Sequence, residues 1–113
     1  MDAHGLADLL ARRAATGRPY LEFLRSDALS VGLYVLPAGG VDRQQPHSED
    51  EIYVVMNGRA RFTAGSEVRD VGPGDVIFVA AQVAHRVHDI TPDLELIVVF
   101  APPETAPADS PRG

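Results

Sequence analysis

Gln45, His47 and Glu51 are spaced by even numbers of residues, so in an extended chain their side chains leave by one face. Four extended residues cover about 13 Å, too far for His47 and Glu51 to share an ion whose bonds are ~2 Å long, so the chain must bend between them. Ser48-Glu49-Asp50 supplies the bend. Glu51 heads the apolar run Ile52-Tyr53-Val54-Val55-Met56, where an ionised carboxylate is costly unless a cation or hydrogen-bond donors compensate it. His85 has a similar setting, after Val76-Ile77-Phe78-Val79 and the small-residue turn from Ala80 to Ala84. Two imidazoles and one carboxylate on one side of an ion leave positions open for water, substrate or dioxygen, and Gln45 can add a neutral amide oxygen. We therefore expect one divalent metal ion, and Fe, Mn, Ni and Zn all suit such nitrogen and oxygen donors. The chain has no cysteine, which excludes disulfides, thiolate metal sites and a cysteine nucleophile.

The elements that must position these residues are short and mostly β. Leu6, Leu9 and Leu10 fall at helical spacing and predict one amphipathic helix from Ala3 to Ala15, with Asp2 as its cap and Gly17 to Pro19 as its stop. From Tyr20 the pattern changes to segments rich in Val, Ile, Leu, Phe and Tyr between turn residues. The predicted strands are Tyr20 to Arg25, Leu29 to Leu36, Gln44 to His47, Glu51 to Met56, Ala60 to Ala64, Glu67 to Val71, Asp75 to Val79, Ala84 to Asp89 and Leu94 to Ala101. Asn57-Gly58 is expected to form a two-residue hairpin turn, and Thr91-Pro92 another break. The run from Ile52 to Met56 is apolar on both faces, as expected of a strand buried between two layers. This pattern predicts an all-β domain, a barrel or jelly roll of two antiparallel sheets with a short N-terminal helix. Residues 1–18 are the lead-in, 19–101 the barrel, and 102–113, with four prolines, a flexible tail.

The spacing carries a resemblance. Gly39, Gln45, His47, Glu51 and Gly58 are spaced as in the first motif of the cupin superfamily, and Gly74, His85 and Asp89 follow the second. Gln45 stands where the family has its first metal-binding histidine, while Ala80, Gln82 and Asp89 replace the second motif's proline, glycine and asparagine. The resemblance implies the barrel and a metal centre on His47, Glu51 and His85. The Gln, His, Glu, His set is similar to that of cupin-fold phosphomannose isomerases. The superfamily includes dioxygenases, isomerases, lyases, sugar-binding modules and seed storage proteins, so it implies a site and leaves the reaction open.

Other polar residues read more simply. His88 is out of phase with His85 and is expected to face outward, His4 to be solvated, and Glu49 and Asp50 to form a charged turn at the rim. Tyr53 and Val55 share the face of Glu51, as do Arg61 and Thr63 if the hairpin is regular; core packing is the simplest role for Tyr53, although its phenol could act as an acid or base beside a metal.

The 113 residues suit one domain, and 45% hydrophobic with 23% charged residues excludes wholesale disorder. Net charge is -6 and the ten basic residues, all arginine, are scattered, which argues against a nucleic-acid partner. No apolar run is long enough to span a bilayer and residues 1–20 lack the order of a secretion signal, so a cytoplasmic location and no membrane partner are expected. The apolar Leu94 to Phe100 exceeds what one face of one sheet needs and predicts a homodimer. The expected function is a metal-dependent enzyme (dioxygenase, isomerase or lyase type) acting on a small polar metabolite. The alternatives are a non-enzymatic module that binds or senses a small ligand, and a purely structural metal site.

Overall fold

A computed structural model describes residues 1–40, 42 and 47–105 of the chain. Helix α1 (Leu6–Thr16) starts after Gly5, three residues later than the leucine spacing suggests. Gly5 caps it through its carbonyl, which accepts from the Leu9 amide at 3.0 Å, and Asp2 takes no part. Its end is the expected one: Gly17 adopts φ 70°, left-handed backbone that glycine enters without strain, and its amide returns to the Ala14 carbonyl. No helix of the described residues is long and apolar enough to cross a membrane.

Six strands follow: β1 (Tyr20–Arg25), β2 (Ser30–Leu36), β3 (Asp50–Ala64), β4 (Glu67–Val71), β5 (Val76–Val79) and β6 (His85–Ala101). All described pairings are antiparallel, in the order β1-β2-β6-β3-β4, with β5 also paired to β3. The mostly β fold with one short helix is the class the sequence predicts. The expected strand from Gln44 to His47 falls largely outside the described residues, and His47 itself lies in no strand.

Asn57-Gly58 makes no hairpin turn. β3 runs through it for 15 residues, and β6 runs through Thr91-Pro92 for 17. The pairing shifts register on both sides of Asn57 and again after Arg59, so the positive φ of Gly58, 90°, serves a bulge. Asn57 donates from Nδ2 to Glu95 Oε1 at 2.6 Å, which fastens the bulge to β6. A Cβ on Gly58 would stand 2.5 Å from the Asp93 carbonyl oxygen and 2.9 Å from Leu94 Cα, both backbone atoms that cannot move aside. Gly58→Ala is therefore expected to destabilise the fold by more than about 2 kcal/mol, measured by denaturant titration.

The bulges also change which side chains face inward. Glu51, Tyr53 and Val55 are buried on β3, but beyond the bulges the buried residues are Ala60 and Phe62. Arg61 therefore points out, 3.2 Å from Asp70, and does not share the face of Glu51. Nor is the Ile52 to Met56 run covered on both faces, since Ile52 is exposed and Val54 and Met56 are half-buried. The core lies between the inward residues of the long strands: Tyr53, Val55, Leu94, Leu96, Val98 and Phe100 are each at most 1% exposed. Burying each of the large ones contributes about 2 kcal/mol.

Candidate metal centre

Glu51 stands near the start of β3, opposite Val79 on β5 and Phe100 on β6, and its side chain is 1% exposed. His85 opens β6, and its Nδ1 lies 2.9 Å from the Val83 carbonyl oxygen. A carbonyl only accepts, so Nδ1 carries a proton and Nε2 is the atom turned into the site. There Nε2 is 3.0 Å from Glu51 Oε1 and 3.1 Å from the Tyr53 hydroxyl. The ring of Phe62 stacks on His85 with centroids 6.0 Å apart, which sets its tilt.

His47 arrives from the bend before β3. Its carbonyl accepts from the Gln82 amide, and Asp50 Oδ1 accepts from the Ala81 amide at 2.8 Å. These two bonds clasp the bend to the turn that precedes His85. His47 Nε2 thus comes within 3.8 Å of Glu51 Oε1, with the edge of Phe100 against its ring at 5.5 Å.

The donor atoms of His47, Glu51 and His85 all lie within 4.8 Å of one another. Donors on one ion with bonds of ~2.0–2.2 Å stand about 3–4 Å apart, so small side-chain adjustments would let all three reach a single divalent cation. A cation between them would also answer the cost of keeping the Glu51 carboxylate dry. Gln45 lies outside the described residues.

Burial pulls the His85 pKa down, but the hydrogen bond to Glu51, the bond to Val83 and the charges of Glu51 and Asp42 outweigh it and hold the pKa above the ordinary histidine value. In the metal-free protein, the stability this contributes is complete below the unfolded-state value of ~6.5 and is lost as pH rises through the raised folded value. A metal must displace the proton from Nε2. Metal binding between these two pH values is therefore expected to release a proton and to weaken as pH falls, which calorimetry in buffers of different ionisation enthalpy measures.

The structure places three further groups near the site. The Tyr53 ring packs on Phe62, as a core residue should, yet its hydroxyl reaches His85 Nε2. Glu49 is buried, and its Oε2 accepts hydrogen bonds from Ser48 at 2.7 Å and Thr105 at 2.9 Å; only Asp50 of the expected charged rim is exposed. Asp42, also buried, accepts from the Tyr34 hydroxyl at 2.8 Å. No sequence motif singles out Asp42, a lone acidic residue between Val41 and Arg43. His88 stays apart from the three donors, half-buried with Nε2 2.7 Å from the Thr63 hydroxyl, and His4 rests its ring on Phe23. A cavity of about 520 Å³ opens beside β1, lined in part by Tyr20, Arg25, Glu104 and Thr105, and none of the three donors lines it.

The family model of the cupin domain, Cupin_2, matches residues 32–101, which hold the bend, both clasped histidines and nearly all of β2 to β6. The chain is a cupin. This cupin is 50% identical over 105 residues to an uncharacterized protein of Streptomyces coelicolor, covering 93% of this chain and 100% of that one. It is 34% identical over 85 residues to the dimethylsulfoniopropionate lyase DddQ of Ruegeria pomeroyi, covering 73% of this chain but 42% of the lyase. The crystal structure of that lyase superposes with a TM-score of 0.63 at 25% identity, over 78% of this chain and 46% of that one. The fold is also that of TT1209 from Thermus thermophilus, with a TM-score of 0.75 at 23% identity, over 91% of this cupin and 99% of that chain.

Proposed function

We propose that this cupin is a metal-dependent enzyme of the lyase type that acts on a small polar metabolite, with His47, Glu51, His85 and Gln45 holding the ion and Tyr53 moving a proton. The observation that carries this reading is the Tyr53 hydroxyl, 3.1 Å from His85 Nε2 on a side chain that is 0% exposed. That position sets a proton-bearing oxygen beside one of the three donors, as an acid or base for a bound substrate requires. Bound there, a divalent ion supplies Lewis acidity toward a substrate oxygen and positive charge that favours the ionised phenol. Tyr53 Oη, deprotonated, takes a proton from the carbon beside a substrate carbonyl or carboxylate. The electron pair left behind forms a carbon–carbon double bond, and the group on the next carbon departs with its bonding electrons. Phe62, packed on the Tyr53 ring, keeps water from the protonated phenol. The resemblance to a lyase, of which the chain spans less than half, favours elimination over oxidation or isomerisation. Scattered arginines support a small-molecule partner over a polyanion.

Elemental analysis of the purified protein, followed by assays of β-substituted carboxylates that include dimethylsulfoniopropionate, tests the reading. Metal-dependent appearance of an unsaturated product is expected. Absence of bound metal, or no elimination from any such compound by the loaded protein, would overturn it. A closed structural site is the second reading, favoured by burial: His47, Glu51 and His85 are 8%, 1% and 5% exposed. Water relaxation on the manganese-loaded protein separates the two, because a closed site has no exchanging water.

A further inference from the structure

β4 carries two of its charges on the inward face. Its pairing with β3 sets Ala64 opposite Glu67, Phe62 opposite Arg69 and Ala60 opposite Val71, and directly opposed residues project from the same side of a sheet. Ala60, Phe62 and Val71 are buried in the core, so Glu67 and Arg69 project from the inward side, while Val68 between them points outward and is 58% exposed. Both charged residues stay exposed because no described pairing joins β4 to β5. A cavity of about 220 Å³ opens between these two strands, lined in part by Phe62, Ala64, Glu67, Arg69, Val71 and Ile77. That is smaller than the roughly 300–1,000 Å³ of sites for drug-sized molecules and suits a small metabolite.

The cavity borders the candidate metal centre through Ala64 and Phe62. Ala64 pairs with His85 on β6 as well as with Glu67, so His85, Ala64 and Glu67 form one row across three strands, with only a methyl group between imidazole and carboxylate. Strands about 4.8 Å apart put the backbone ends of that row about 10 Å apart. Phe62, in the next row, is the ring that stacks on His85 and packs on Tyr53, and Ile77 stands opposite Tyr53.

We propose that this opening admits the substrate and that Arg69 and Glu67 select it, Arg69 holding a carboxylate and Glu67 a positive charge, so that the ligand is a small zwitterion. This rests on the reading of the cupin as an enzyme of small polar metabolites. Same-face residues two apart along a strand are about 7 Å apart, a span that a short zwitterion bridges with one charge at each end. A guanidinium holds a carboxylate through two parallel hydrogen bonds. Among the described residues Arg69 makes one ion pair, to Asp75 Oδ1 at 3.9 Å, and Glu67 makes none, so both heads are open to a ligand. Charges on an edge strand commonly block pairing with another sheet, but that duty calls for a charge at outward-facing Val68 as well.

Titration calorimetry of the full chain, with and without manganese, tests the assignment with two compounds of one shape: β-alanine betaine, a zwitterion, and its analogue with carbon in place of the quaternary nitrogen. The zwitterion should bind at least about fivefold more tightly, and Glu67→Gln should erase that preference without weakening the analogue. Arg69→Gln should weaken both by about 10-fold or more, and Arg69→Lys should recover part of the loss. Both side chains are exposed, so melting temperature and metal content should stay at the parent values, which a merely structural role would not predict together with lost binding. Selective binding without elimination from any compound would sink the lyase reading and leave this one standing. Binding of neither compound, or affinities that either Glu67→Gln or Arg69→Gln fails to change in these ways, would overturn the assignment.

Discussion

His85→Ala and His47→Ala should each lower metal affinity by more than about 100-fold, since removing even a residue that only orients a metal ligand costs about 10–100-fold. The two losses have different side effects. His85 Nε2 stands 3.0 Å from Glu51 Oε1, whereas His47 Nε2 is 3.8 Å away. His85→Ala therefore takes a close compensating donor from a dry carboxylate, and should lower the melting temperature of the metal-free protein as well as its affinity. His47→Ala should act mainly on affinity. Gln45→Ala should lose less metal than either, because a neutral amide oxygen is the weakest donor of the set. Competitive titration against a chromophoric chelator reads all three, and unchanged affinity in His47→Ala would remove that residue from the centre.

Tyr53→Phe isolates the hydroxyl. The ring contact with Phe62, at 5.1 Å between centroids, survives the substitution and so should metal content, while loss of the buried bond to His85, about 1 kcal/mol, should lower the melting temperature by about 3–6 °C. Turnover should nevertheless fall by about 10²–10⁴, the range for removing a positioned acid or base, with the loss in kcat more than in KM. A variant that turns over as the parent does would return Tyr53 to a packing role and leave the proton to another group.

The parts of this molecule that were legible in the sequence are those set by local chemistry. Gly17 ends α1 because left-handed backbone is easy for glycine, and that requirement can be read without knowing what surrounds it. The strand content followed from alternation, and the convergence of His47, Glu51 and His85 from the resemblance to the cupin motifs. Asn57-Gly58 shows the limit of such reading. Positive φ there was legible, but a hairpin turn and a bulge both require it, and the choice was made by Glu95 and Asp93, far along the chain. The inward face beyond the bulge was lost with it, so Arg61 was placed on the wrong side and Phe62, which packs on His85, was not anticipated. Glu49 looked like rim because an acidic residue in a bend is ordinarily solvated; its burial depends on Thr105, which lies 56 residues away.

The pairing of β3 with β6 has a kinetic meaning. It joins Asp50 to Ala101 and Ala64 to His85, contacts of long sequence separation whose loop-closure entropy must be met before they return any stability. Glu51 and His85 meet only once that zipper has closed, so an unfolded or half-folded chain has no three-donor pocket to offer a cation. A cation held there would thus be a latch on the finished barrel: it would slow departure from the native state while leaving the search for that state to the polypeptide alone.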